Sequence, residues 1–131
     1  MFVLCVDWGG GLMAKPNPEE LVLLGIKSYE KQDFSKARKY FEKACGLNNG
    51  GGCSNLGVLY QNGQGVEKDL IKVAYPYSRA CELKDGCGCS FLGVLYYNGD
   101  GVKQDSKKAA ALFEKACKLG YQLACEMLKL K

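Results

Sequence analysis

Six of the eight cysteines fall into three doublets that share one spacing and one period. Cys45 and Cys53 are eight residues apart, as are Cys81 and Cys89, and Cys117 and Cys125. Each doublet follows the one before by 36 residues. A feature in register with a repeat is part of every unit, and periods of this size signal stacked helical pairs rather than a single irregular globule.

The second and third units align without a gap. Leu56-Gly57-Val58-Leu59-Tyr60 becomes Leu92-Gly93-Val94-Leu95-Tyr96, and Asn62-Gly63-Gln64-Gly65-Val66 becomes Asn98-Gly99-Asp100-Gly101-Val102. Each unit reads as two antiparallel helices. The first closes at Asn-Gly, which tolerates the left-handed conformation that ends a helix. Asp69 and Asp105 stand where the N-cap of the second helix belongs. Its apolar residues, such as Ala109, Leu112, Phe113 and Ala116, fall at helical spacing. The first unit has a shorter loop. Asn17 is its expected N-cap, with Pro18 at the first helical position, and Asp33 opens its second helix. These signals divide the chain into a leader over 1–16 and a repeat domain over 17–131. The units run about 17–48, 49–84 and 85–120, and a closing helix over 121–131 covers the last apolar face.

Pro76 departs from the pattern. It lies mid-helix, where Tyr40 and Leu112 stand in the neighbouring units. Proline there removes an amide donor and presses on the Lys72 carbonyl, at a cost of about 3 kcal/mol in a regular helix, so a kink or a weakened unit is expected.

Composition excludes several classes. The chain has no histidine, which removes Ser-His-Asp triads, Cys-His dyads and His-containing zinc sites. The net charge of +4 is interspersed rather than clustered, unlike a nucleic-acid-binding surface. No apolar run approaches the roughly 20 residues that span a membrane.

Leu24-Gly25, Ala37, Phe41 and Ala44 resemble the packing positions of the tetratricopeptide repeat. The longer loop of the later units, Gly-x-Gly-Val-x-x-Asp, resembles the Sel-one-like variant. The added pair in Ala-Cys-x-Leu-x₅-Cys-x-x-Leu-Gly is similar to that of the Helicobacter cysteine-rich proteins. The resemblance covers the chain from about Pro16 onward. It implies an all-α fold, an α/α right-handed superhelix (solenoid) of stacked antiparallel helix pairs with one disulfide per repeat, and export from the cell. Members of that family are described as penicillin-binding proteins or slow β-lactamases, and as secreted antigens.

The cysteine spacing agrees with the disulfides. Cys45 would end one helix and Cys53 would sit in the first turn of the next, with the Gly-rich link turning the chain back between them. Zinc would need four converging ligands, often as C-x₂-C pairs, and catalytic thiols do not recur periodically. Disulfides Cys45–Cys53, Cys81–Cys89 and Cys117–Cys125 are therefore expected, in a secreted or periplasmic protein. Cys5 and Cys87 stand outside the pattern. Cys87 reads as a free thiol, as half of an intermolecular bridge, or as a competitor of Cys89 for Cys81. Cys5 lies in Met1–Ala14, which is similar to the end of an export signal, and would leave with that signal or hang free on the terminus.

Candidate chemistry is sparse. Ser28-Tyr29-Glu30-Lys31 fits S-x-x-K, but its companion motifs S-D-N and K-T-G are absent, so it is read as an exposed helical face. The Gly-x-Gly loops follow no strand and lack Gly-Lys-Ser/Thr, so they are not phosphate loops. No cofactor or metal is expected.

The working surface is the concave face of the first helices. There Asn55, Val58, Asn62, Phe91, Tyr97 and Asn98 are the expected peptide-binding residues, beside Cys87 and Ser90. An asparagine amide can hold a peptide backbone through both its donor and its acceptor, and aromatics can pack on peptide side chains. The expected partners are host or periplasmic protein or peptide segments. The alternative reading is a penicillin-binding protein with weak β-lactamase activity, or a purely structural or antigenic secreted protein.

Overall fold

The computed structural model describes Cys5 and residues 17–129. They form seven α-helices and, among the described residues, no strand: α1 (Pro18–Glu30), α2 (Phe34–Gly46), α3 (Gly50–Asn62), α4 (Leu70–Glu82), α5 (Gly86–Asn98), α6 (Ser106–Lys118) and α7 (Gln122–Leu128). The expected all-α solenoid of antiparallel pairs is observed: α1/α2, α3/α4 and α5/α6 are the repeats, and α7 packs on α6. The signal-like stretch lies outside the described residues, apart from Cys5.

The helix boundaries follow from their caps. Asn17, Asp33, Asn49, Asp69, Asp85 and Asp105 each accept a backbone N–H from the first turn of the helix they precede. Each cap satisfies donors that the helix cannot, worth about 1 kcal/mol. Gly63 and Gly99 end α3 and α5 in the left-handed conformation, φ +66° and +73°. That reverses the chain into the loop before the next helix.

Packing repeats with the sequence. The rings of Phe41, Tyr77 and Phe113 lie against Gly25, Gly57 and Gly93, so each second helix presses an aromatic onto a glycine of its partner. Phe41 and Tyr77 are fully enclosed. Between units the helices also approach closely. A Cβ on Gly52 would lie 2.6 Å from the Ala44 Cβ, one residue from the Cys45–Cys53 pair. The loop tip at Gly65 rests on the Phe34–Ser35 backbone, 2.5 Å from where a Cβ would meet the Phe34 carbonyl oxygen. The same loop in the next unit seats Gly101 on Leu70 and Ile71. The longer loop therefore fastens each unit to the one before it.

Curvature follows from which helices meet. α3 touches both α1 and α5, whereas successive second helices (α2, α4, α6) have no comparable contact. The stack therefore bends with α1, α3 and α5 on its inner side. At its middle, α3 is buried continuously from Gly51 to Leu59.

Pro76 lies within α4 and is buried. α4 runs through it as a single helix of 13 residues, the same length as its neighbours. Val73, Tyr77 and Ala80 on the face around it are all fully buried. Apolar burial at about 25 cal/mol per Å² on three side chains outweighs the loss of one backbone hydrogen bond.

Candidate functional site

All eight cysteines are paired. Cys45–Cys53, Cys81–Cys89 and Cys117–Cys125 join the end of one unit to the start of the next, with Cα separations of 4.5, 4.5 and 4.8 Å. The fourth bridge was not expected: Cys5 is bonded to Cys87 across 82 residues, with the two Cα atoms 6.4 Å apart. Cys87 is thus neither free nor intermolecular, and Cys5 does not hang loose. Sequence reasoning missed this pair because neither cysteine has a periodic counterpart. The available signal was arithmetic: two cysteines remain once the repeat pairs are set aside.

The bridge brings Cys5 onto the inner side of the stack, against α3 and α5. Asn55, in the middle of α3, is fully buried. Its Oδ1 accepts the Cys5 backbone N–H at 2.8 Å, and its Nδ2 donates to the Cys5 carbonyl at 3.1 Å. One side chain thereby makes the pair of main-chain bonds that a neighbouring β-strand would make. Cys5 also packs on the cluster that contains Val58, Cys87 and Phe91.

Asp85 organises the other side of the bridge. As the N-cap of α5, it accepts the N–H groups of Cys87 and Gly88 at 2.9 and 3.2 Å. The Ser54 hydroxyl lies 3.4 Å from its other carboxylate oxygen. Asp85 and both sulfurs lie within 4.8 Å of one another. Because the sulfurs are bonded together, they offer no thiolates and the cluster is not a metal site. A polar cleft of about 280 Å³ opens beside the bridge, lined by Cys5, Lys84, Asp85, Cys87, Gly120 and Tyr121. Burial, and then the Asp85 charge, push the Tyr121 phenol above its ordinary range, so it remains a neutral hydrogen-bonding group.

The six expected peptide-binding residues do not form one exposed surface. Val58 is fully buried and Phe91 is nearly so. Both belong to the central cluster with Val73 and Tyr77, and Phe91 stacks edge-on between Tyr77 and Tyr121, with centroids 5.3 and 6.4 Å away. They are core residues because the aromatics of α4 and the closing segment reach across the inner helices. Asn62 is half-buried and bonds Gln64 within its own loop. Asn98 is exposed. Tyr97 is 58% exposed, and it faces a different cavity of about 520 Å³ between α5, α6 and α7, walled by Phe113, Met127 and Leu128. Of the six, Asn55 is the one bonded through both its amide groups to the chain's own Cys5 backbone.

The S-x-x-K match does not lie wholly on an exposed face, because its serine turns inward. The Ser28 hydroxyl is buried and donates to the Leu24 carbonyl at 2.9 Å, one turn back in α1. Lys31 is exposed and lies beyond the helix end. No poised nucleophile is formed, because the hydroxyl proton is engaged by the backbone.

This geometry defines a disulfide-stapled α/α repeat protein whose inner side holds the backbone of its own Cys5. The Sel1 repeat matches the chain three times, at residues 22–49, 51–85 and 88–121. HcpC of Helicobacter pylori strain J99 is 65% identical over 63 residues, which cover 48% of this chain and 22% of HcpC. Beta-lactamase HcpA of the same strain is 58% identical over 62 residues, covering 47% of this chain and 25% of HcpA. The structure of Helicobacter pylori cysteine rich protein B superposes with a TM-score of 0.69 at 38% identity, covering 91% of this chain and 100% of that one. The chain belongs to the Sel1 repeat family and, within it, to the Helicobacter cysteine-rich proteins. It spans about a quarter or less of the length of the curated relatives HcpC and HcpA.

Proposed function

We propose that this chain is a rigid extracytoplasmic scaffold that binds an extended segment of protein on the inner side of its stack. One observation carries the reading: the buried amide of Asn55 already engages the backbone of Cys5 through both its N–H and its C=O. Main-chain recognition of this kind takes many sequences, because every residue offers the same two groups. The repeat disulfides pre-set the helix positions, so little ordering cost falls on binding. Four disulfides in one chain suit an oxidising compartment. Among the described residues, no helix is long and apolar enough to cross a membrane.

The test uses a Cys5→Ala/Cys87→Ala chain, in which the inner face is no longer covalently occupied. Fluorescent, cysteine-free decapeptides are titrated against it. Saturable binding that Asn55→Ala weakens about tenfold is expected, the loss of one to two hydrogen bonds. Absence of saturable binding, or indifference to Asn55→Ala, overturns the proposal.

A second reading comes from the name of HcpA, a β-lactamase. In this chain it would need a nucleophile other than Ser28, whose hydroxyl is bound to Leu24. Nitrocefin turnover that survives purification and is abolished by one point substitution would favour it over the scaffold.

A further inference from the structure

We propose that Asn55 and Cys87 together form an acceptor site for an extended segment bearing one cysteine, and that the chain's own Cys5 is its resident occupant. The inference rests on the scaffold reading and adds the chemistry of the partner. The amide of Asn55 fixes the backbone of a single residue, and Cys87 fixes that same residue's side chain. Two main-chain bonds read no sequence. The sulfur is what selects, so the site takes cysteine at the clamped position.

Three features mark a built site. Asn55 is fully buried on α3, and both its polar groups are committed to one residue 50 positions away in sequence. Cys87 lies in the first turn of α5, its backbone N–H donated to the Asp85 cap. A polar cleft opens beside the bridge and admits a small thiol.

Exchange proceeds in two balanced steps. The thiolate of a small thiol attacks Cys5 Sγ, the half-buried member of the pair, since Cys87 is only 7% exposed. A mixed disulfide forms at Cys5, the Cys5–Cys87 bond breaks, and Cys87 departs as a thiolate. That thiolate then attacks the disulfide of an incoming cysteine-bearing segment. A new S–S bond forms at Cys87 and the segment's former sulfur partner leaves as a thiolate. Each step exchanges one disulfide for another, with no net oxidation. The incoming residue takes the two Asn55 bonds that Cys5 has given up.

The experiment uses the Cys5→Ser chain, whose Cys87 is a single unpaired thiol. The probe is the peptide Met-Phe-Val-Leu-Cys-Val-Asp-Trp-Gly-Gly with 5-thio-2-nitrobenzoate on its cysteine. Release of the yellow thiolate gives the rate, and mass mapping gives the site. Rates are divided by those for Ellman's reagent on the same chain, so that changes in Cys87 exposure or reactivity cancel. The expected result is modification at Cys87, with a peptide-to-reagent ratio that Asn55→Ala lowers about tenfold. Asn55→Gln, which moves the amide outward by one carbon, lowers it as well. Thermal melts confirm that both variants fold. Equal ratios with and without the Asn55 amide, or modification away from Cys87, overturn the proposal. A cysteine-free version of the peptide separates the two readings. If it still binds the Cys5→Ser chain while exchange shows no Asn55 dependence, only this inference falls. If its binding is absent too, the scaffold reading falls with it.

Discussion

The hydroxyl of Tyr77 on α4 donates to Oε1 of Gln61 on α3 at 2.7 Å, and the tyrosine is fully buried. The bond ties the two helices of the central repeat together beneath the inner face. Gln61 is itself buried, so removing its donor leaves an acceptor without water. Tyr77→Phe is expected to cost about 1–3 kcal/mol in urea unfolding, the penalty of one unsatisfied buried group.

The same tyrosine predicts an alkaline limit. Burial pushes its phenol far above the ordinary value. The unfolded chain loses this proton near pH 10, while the folded chain keeps it. Stability is therefore intact below pH 10 and falls as pH rises above it, by about 1.4 kcal/mol per pH unit. Urea melts between pH 9 and 11 should show this slope in the native chain, and Tyr77→Phe should lack that share of it.

The glycine–aromatic contacts predict a contrast among alanine substitutions. A Cβ on Gly57 would lie 2.5 Å from the Tyr77 ring, and one on Gly93 would lie 2.8 Å from the Phe113 ring. Gly57→Ala and Gly93→Ala are each expected to destabilise by about 1–3 kcal/mol, as overpacking does. Gly46, at the end of α2, has nothing within 4 Å of its would-be Cβ. Gly46→Ala should be neutral or stabilising by up to about 1 kcal/mol through helix propensity. Thermal denaturation of the three variants measures the contrast.

Pro76 offers a gain. Pro76→Leu supplies the residue found at the equivalent Leu112 and restores an amide to the Lys72 carbonyl. An increase of about 1–3 kcal/mol is expected, the helix-interior cost of proline less some repacking. A loss of stability would mean that α4 is shaped around the proline ring.

The disulfides should contribute unequally. Each repeat pair joins residues 8 apart, a closure worth about 2.5 kcal/mol on the chain-entropy model. Cys5–Cys87 joins residues 82 apart, for which the same model gives up to about 4.5 kcal/mol. Cys45–Cys53 lies within that loop and Cys81–Cys89 straddles its end, so the loop is already restricted and Cys5→Ala/Cys87→Ala should cost less than this ceiling. Calorimetry on paired alanine variants would order the bridges.

Much of the fold was legible because local chemistry and the repeat agreed. Asn17, Asp33, Asp69 and Asp105 cap the helices where the sequence placed them, and Gly63 and Gly99 close helices as Asn-Gly suggests. Asn49 and Asp85 were missed as caps, because the Gly-rich stretches after them do not look helical until packing buries them. The inner face was harder to read. Register marks Val58 and Phe91 as pointing inward, but only the structure reveals that Tyr77 and Tyr121 close over them. The Cys5–Cys87 contact is non-periodic and long in sequence, and such contacts leave no local trace. Asn55 was singled out for the capacity of its amide, and that amide does grip a backbone, although the backbone is the chain's own.

The most direct measurement is a non-reducing peptide map of the native protein, alkylated before digestion. The account predicts four bridges: Cys45–Cys53, Cys81–Cys89, Cys117–Cys125 and Cys5–Cys87. Alkylated Cys87, or Cys5 joined to any other cysteine, would contradict it.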